Sequence, residues 1–137
     1  GVTRCAVKTF KEALRIQKFF NYILVLSDIP QEKINFIGTT INHISSIAKI
    51  PKGSFVELKI DTGMHRNGIK ANEIDNALKL IKQKGLILKG VFTHFRSADV
   101  LSSEYFWQRE NFKIIKSKIK NLCRQYKMPK PYFHSHN

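Results

Sequence analysis

The stretch FVELKIDTGMHRNG, at residues 55–68, combines a strand-like run with a glycine-rich turn. Side chains alternate across a β-strand, so the apolar residues at positions 56, 58 and 60 share one face, which suits packing under helices. The opposite face carries three charged side chains, Glu57, Lys59 and Asp61. In a parallel barrel this charged face points inward and its charges need partners, because burying an unpaired charge is costly. On an edge strand the same face is wet, and the pattern alone leaves both interpretations open.

The turn that ends this stretch is a candidate site. Gly63, Asn67 and Gly68 mark a turn directly after the strand. Barrel enzymes build their active sites from the loops that follow strands. Arg66 lies within this loop, where a fixed guanidinium can bind an anionic or phenolic oxygen. An ordinary surface arginine is the alternative.

Short strands alternate with amphipathic helices along the rest of the chain. Strands are predicted at residues 5–7, 22–27, 36–41, 55–61, 88–95 and from 132 onward. Helices are predicted at residues 10–18, 44–49, 74–84 and 104–126. Asn72 and Asp75 resemble a capping box before the third helix, and Gly85 ends it. This order predicts an α/β fold with parallel strands joined by helical crossovers.

The choice between an open sheet and a barrel depends on motifs and on the number of strands. No glycine-rich phosphate-binding motif follows a strand, which disfavours the dinucleotide-binding open sheet. The five or six predicted strands are fewer than the eight of a closed barrel. The pattern leaves a barrel and another open sheet possible, and if the fold is a barrel, it is a partial (β/α)8 TIM-like barrel from which some strands are missing.

Two later strands end in histidines. Phe92 and His94 share one face of their strand, and a histidine at this end of a barrel strand can stack on a planar cofactor, bond a substrate or titrate near neutrality. A structural histidine is the alternative, and Asp99, just beyond, could equally be a helix cap. His134 and His136 share a face of the last strand, but no carboxylate or cysteine is spaced nearby in the sequence to complete a metal site.

The composition bears on partners and on location. The formal net charge of +14 is high for 137 residues. Much of the surplus is lysine on the predicted helix at 104–126, which is typical of a solvated face, and no nucleic-acid-binding signature accompanies it. No apolar run is long enough for a bilayer, and the two cysteines, Cys5 and Cys123, form no CxxC pair. We expect a cytoplasmic protein that binds neither nucleic acid nor membrane.

Several motifs together resemble one enzyme family. KIDTGMHRNG at residues 59–68 resembles the K-x-D-T-G-M-x-R-x-G signature of alanine racemases. GVFTHF at residues 90–95, with Ala98 and Asp99, resembles the G-x-F-T-H-F-x-x-A-D motif of that family. FHSHN at residues 133–137 resembles its H-x-x-N-S strand, ending before the serine. The order and spacing agree along essentially the whole chain.

This resemblance implies a cofactor and a role for each matched residue. Alanine racemases combine an eight-stranded α/β barrel with a β-rich C-terminal domain and use pyridoxal phosphate to interconvert L- and D-alanine. Arg66 would bond the phenolic oxygen of the cofactor, and Lys59 would be the lysine that is carbamylated in many members and holds that arginine. His94 would lie against the cofactor ring. His134 would orient the arginine that bonds the pyridine nitrogen, and Asn137 would sit beside the phosphate-binding loop.

The resemblance also implies what these residues lack. In the family, the lysine that forms the Schiff base lies on the first barrel strand, and the second base is a tyrosine from the C-terminal domain of the partner subunit in a homodimer. Neither segment is matched here, and Asp99 is implied only loosely, in the route by which substrate enters. We therefore expect residues 1–137 to be the central part of the pyridoxal-phosphate-binding barrel, an internal fragment without catalytic residues and inactive alone.

Two other functions stay open from the sequence. One is another barrel-type pyridoxal-phosphate enzyme, such as a serine or broad-specificity amino-acid racemase, which shares the same motifs. The other is a basic binding module without catalysis, for which a strong salt-dependent affinity for DNA would be the sign. The resemblance favours the complete protein as an alanine racemase that supplies D-alanine for peptidoglycan.

Overall fold

A computed structural model describes residues 2–63, 67–95 and 103–136 of the chain. Within these ranges the strands are β1 (Arg4–Val7), β2 (Tyr22–Val25), β3 (Ile37–Ile41), β4 (Phe55–Ile60), β5 (Ile87–His94) and β6 (Tyr132–His136). The α-helices are α1 (Phe10–Ile16), α2 (Ile74–Lys84) and α3 (Ser103–Gln125). Short 3₁₀ helices occupy Gln17–Phe19, Ile44–Lys49 and Ala71–Glu73. None of the helices in these ranges has the length and apolar character needed to span a bilayer.

The six strands form one parallel sheet in the order of the sequence, from β1 to β6. The sheet curls so that its two ends approach each other, because the guanidinium carbon of Arg4 on β1 lies 5.1 Å from the centre of the Tyr132 ring on β6. This is the architecture of a partial (β/α) barrel, as the family resemblance implied. Strand β4 pairs with both β3 and β5, so the alternative interpretation of this stretch as an edge strand is wrong.

The helices cover the outer face of the sheet. The apolar residues Val56, Leu58 and Ile60 of β4 belong to one large buried cluster. Helix α2 contributes a fully buried stripe with helical spacing to the same cluster, made of Ile74, Ala77, Leu78 and Ile81. Helix α3 contributes a second stripe, made of Phe112, Ile115, Ile119 and Cys123. With the outer face of β4 buried under helices, its charged residues occupy the concave inner face.

Three local predictions can be compared with the structure. The predicted helix at residues 44–49 is present as a 3₁₀ helix, in which the Ser46 hydroxyl donates a hydrogen bond to the carbonyl of His43 and competes with α-helical pairing. The predicted capping box of Asn72 and Asp75 is wrong. The capping box before α2 uses Glu73, whose carboxylate accepts from the backbone N–H of Lys70 at 2.9 Å. Asp75 is instead bonded by the Tyr126 hydroxyl. The stop at Gly85 is confirmed, since this residue adopts the left-handed conformation (φ 76°) that glycine tolerates.

Candidate functional site

Polar groups from three neighbouring strands meet on the concave face near the carboxyl edge of the sheet. The register pairs Lys59 of β4 with Phe92 of β5, and Phe92 with His134 of β6. One step further along, His94 pairs with His136. The sheet thus brings Lys59, His94 and His134 together, although up to 75 positions separate them in the sequence.

The inward charges of β4 have partners, as their burial requires. The half-buried ammonium of Lys59 donates a hydrogen bond of 2.5 Å to the side-chain oxygen of Asn67. Asp61 accepts from the backbone N–H of Gly63 at 3.0 Å. Both bonds tie the loop after β4 back to the strand, on either side of residues 64–66.

Glu57 makes a close polar contact across the sheet. Its carboxylate oxygen lies 2.6 Å from Nε2 of His134, two strands away. Glu57 is only 3% exposed, and the side chain of His134 is 20% exposed. The Phe92 ring stacks against the imidazole, with centroids 5.0 Å apart and planes 15° apart. The sequence predicted that Glu57 would need a partner but gave no signal for which residue that partner is.

Space for the Glu57 carboxylate comes from a glycine on the neighbouring strand. A Cβ atom built on Gly90 would lie 2.4 Å from a Glu57 carboxylate oxygen. On the other side lies Tyr22, the pKa of which is raised well above the usual value for a phenol by burial and then by the negative charge of Glu57, with the Arg4 guanidinium opposing. The phenol therefore stays protonated beside a carboxylate.

The concave face encloses a cavity of about 280 Å³, lined by residues of β1, β2, β4 and β6. The Arg4 guanidinium lies over the Tyr22 ring at 4.9 Å as well as over Tyr132. Glu57 and His134 both line this cavity. The pair therefore forms part of the wall of this cavity.

Helix α3 braces the loop after β4. Thr62 and Thr93 share a buried hydroxyl–hydroxyl hydrogen bond of 2.8 Å, which joins the carboxyl ends of β4 and β5. Gly63 has a φ of 134°, and a Cβ there would lie 2.5 Å from the Trp107 ring. A glycine is therefore required at this position for both conformation and space. These contacts fix where the loop leaves the strand.

The predicted site residues divide into two groups. Lys59, His94 and His134 lie in the described part of the chain, are half-buried, and meet at the carboxyl edge of the sheet. Arg66, Asp99 and Asn137 lie outside the described residues. Glu57 is the functional candidate that sequence reasoning did not include among the site residues.

These features define a barrel-type α/β protein with a polar site at the carboxyl ends of its parallel strands. The whole chain, residues 1–137, matches the family model described as alanine racemase, N-terminal domain. The chain belongs to this family.

Curated relatives and solved structures give the extent of the likeness. The chain is 48% identical over 139 residues to an alanine racemase of Campylobacter curvus, a match that covers 100% of this chain and 41% of the relative. It is 46% identical over 137 residues to an alanine racemase of a Nitratiruptor species, with the same coverage. A crystal structure of alanine racemase from Bacillus anthracis with bound L-Ala-P superposes with a TM-score of 0.75 at 26% identity, covering 98% of this chain and 38% of that one. The chain spans about 41% of the length of the curated relatives.

Proposed function

We propose that the whole protein interconverts L-alanine and D-alanine with pyridoxal phosphate and thereby supplies D-alanine for peptidoglycan. The observation that carries this proposal is the row of half-buried polar side chains along the carboxyl edge of the sheet, on the residues that match the family's motifs. Parallel barrels place their chemistry at this edge.

The residues present fit this cofactor by their chemistry. Pyridoxal phosphate is a planar, anionic molecule with a phenolic oxygen. The concave edge offers the ring of this cofactor a half-buried imidazole at His94, and the bond from Lys59 to Asn67 anchors the residue next to Arg66. When bound, the cofactor supplies an electron sink for the electron pair left when the α-proton of alanine is removed.

The chain's own residues would hold and orient the cofactor. Lys59 is bonded to Asn67, the residue next to Arg66, so its role would be to anchor the segment that presents the Arg66 guanidinium to the phenolic oxygen. His94 would contact the ring. Lys59 would strengthen the anchor as a carbamate, because a carbamate is anionic and pairs with a guanidinium.

Asn137 and Asp99 complete the proposed set of site residues. Asn137 would lie beside the phosphate-binding loop, and Asp99 would line the route by which alanine enters. His134 would orient an arginine toward the pyridine nitrogen, as developed below.

The proposal includes the rest of the protein. Because the chain spans about 41% of its curated relatives, we propose that it is the central part of the pyridoxal-phosphate-binding barrel domain. The lysine that carries the cofactor and the tyrosine base would come from other segments, the tyrosine from the partner in a homodimer. Residues 1–137 alone would then be inactive. A cytoplasmic location agrees with the two free thiols, Cys5 and Cys123.

Binding of pyridoxal phosphate to the full-length protein tests the proposed site. Arg66→Ala should weaken cofactor binding about tenfold or more, because a charged hydrogen bond worth about 1.5–3 kcal/mol is lost. Arg124→Ala, on the exposed last turn of α3, is the matched control and should bind as the wild type does. Affinity is read from the quenching of protein fluorescence on titration with the cofactor. Equal affinities of the two variants, or no binding by the wild type, would refute the site.

A further inference from the structure

Glu57 and His134 form a buried contact across the sheet, between a carboxylate oxygen and a ring nitrogen. The two side chains project from β4 and β6 on the same concave face, with Phe92 of β5 stacked between the strands against the imidazole. A carboxylate that is 3% exposed is costly to bury unless its hydrogen bonds are satisfied. We therefore looked to His134, the residue that Glu57 touches, for the role of this buried carboxylate.

We propose that Glu57 is a positioning residue that keeps the proton of His134 on Nε2 and so presents Nδ1 as a hydrogen-bond acceptor. The role in catalysis rests on the proposed function, whereas the tautomer does not. As a carboxylate, Glu57 has only acceptor atoms, so the Nε2 atom at 2.6 Å must be the donor. In a neutral ring the other nitrogen is then an acceptor, and its tautomer is set by the partner of the first.

The chemistry of the acceptor identifies the class of partner. A guanidinium carries five N–H donors and no acceptor. It can bond an imidazole only through a bare ring nitrogen, which is what the Nε2–H tautomer provides at Nδ1. Under the proposed function, this guanidinium belongs to the arginine that bonds the pyridine nitrogen. Glu57 would thus act on the cofactor through two successive side chains, without touching it.

The surroundings keep this pair in one geometry. The Phe92 ring limits rotation of the imidazole on one side, at a centroid distance of 5.0 Å. The absence of a Cβ at Gly90 leaves the carboxylate the space to approach, because that atom would come within 2.4 Å of it. The protonated Tyr22 phenol lies beside the same carboxylate. A positioning residue works through its partner when the contacts around both side chains fix their orientation.

The experiment uses the full-length protein without cofactor, labelled with ¹⁵N-histidine, so that its readout is independent of activity. The His134 signals are assigned from their loss in His134→Gln. In the wild type, Nε2 should carry a proton with a far-downfield shift and slow exchange with water. In Glu57→Gln the carboxylate charge is gone, so this proton should move upfield and exchange about tenfold faster or more. Glu110→Gln, the same change on the exposed face of α3, should leave both values unchanged.

The outcomes separate the proposal from the proposed function. A bare Nε2 in the wild type overturns the proposal even if every variant misfolds, and unchanged shift and exchange in a folded Glu57→Gln overturn it too. With cofactor, Glu57→Gln should lower kcat for alanine about tenfold and change KM less than twofold. If the wild type does not racemise alanine but the Nε2 proton of His134 shows the expected shift and exchange rate, the proposed function is wrong and the proposed role of Glu57 in setting the tautomer is supported.

Discussion

Gly90 shows how a single missing side chain determines the inner face. Its backbone on β5 lies directly beside the buried carboxylate of Glu57, which fills the space that any other residue's Cβ would occupy. This gives a physical reason for the glycine that opens the GVFTHF motif at residues 90–95. The first residue of this motif is therefore needed for packing around Glu57.

Gly90→Ala should destabilise the protein by about 1–3 kcal/mol, because the new methyl group overlaps the Glu57 carboxylate at 2.4 Å. Urea unfolding of the full-length protein measures the loss. In a Glu57→Ala background the carboxylate is absent, so the cost of Gly90→Ala should fall by at least half. Equal costs in the two backgrounds would show that the overlap is not the cause.

Lys59 and Glu57 illustrate what the sequence reveals about individual site residues. Strand alternation predicted that both face inward and need partners, and both have them. The partner of Lys59 is eight residues away and lies in the predicted turn, so it was accessible to local reasoning. The partner of Glu57 is 77 residues away. Only the order of strands in the sheet brings His134 to it, and no local pattern encodes that order.

At the scale of elements, the parallel strands and the long helices were predictable and the short connections were not. Helix α3, predicted at 104–126, is found at Ser103–Gln125, because an apolar stripe of about three turns, from Phe112 to Cys123, outweighs local preferences. The segment 44–49 is too short for periodicity to decide, and a serine hydroxyl bond to the backbone shifts it to 3₁₀ geometry. The helix at 44–49 was therefore predictable, but its 3₁₀ geometry was not.

The buried stripe of α2 should be the part of that helix most sensitive to substitution. Leu78 is fully buried against the sheet, so Leu78→Ala should cost about 2–5 kcal/mol in the free energy of unfolding. Lys79→Ala changes the next residue, which lies on the exposed face of α2, and should alter the free energy of unfolding by about 0.5 kcal/mol or less. The urea midpoint of the full-length protein compares the two. A similar shift for both would contradict the packing of α2 described here.

The end of α3 is tied to the start of α2 by a pH-dependent bond. The Tyr126 hydroxyl donates to Asp75, which lowers the pKa of Asp75 from its ordinary value of 3.8 and raises that of Tyr126 from its ordinary value of 10.0. The lowered carboxyl pKa adds stability above pH 3.8 that is lost as the pH falls through the folded value. The raised phenol pKa adds stability below pH 10.0 that is lost as the pH rises through the folded value.

Tyr126→Phe should therefore lower the melting temperature of the full-length protein at neutral pH and lower it less in acid, below the ordinary pKa of Asp75. Tyr105→Phe is the matched control, because it also removes one tyrosine hydroxyl from α3 but not the one that bonds Asp75. Thermal denaturation at several pH values measures both. If Tyr126→Phe lowers the melting temperature by the same amount at neutral and at acidic pH, the bond to Asp75 is not the cause of the loss.

The molecule as a whole is a curled parallel sheet whose concave face carries the site and whose convex face is covered by helices. The chain spans about 41% of its curated relatives, and the residues that match their family's motifs gather at one edge of the sheet. The described groups at that edge come from three neighbouring strands, β4, β5 and β6, so their arrangement depends on how these strands pair. The proposed activity is thus a property of the full-length protein.

Formation of D-alanine from L-alanine by the purified full-length protein is the direct test of the proposed activity. We expect steady conversion toward a racemic mixture in the presence of pyridoxal phosphate, loss of conversion when the cofactor is removed, and recovery when it is restored. L-Serine and other amino acids, tested in parallel, should be converted more slowly. No D-alanine from a folded, cofactor-loaded protein, or faster conversion of another amino acid, would contradict it.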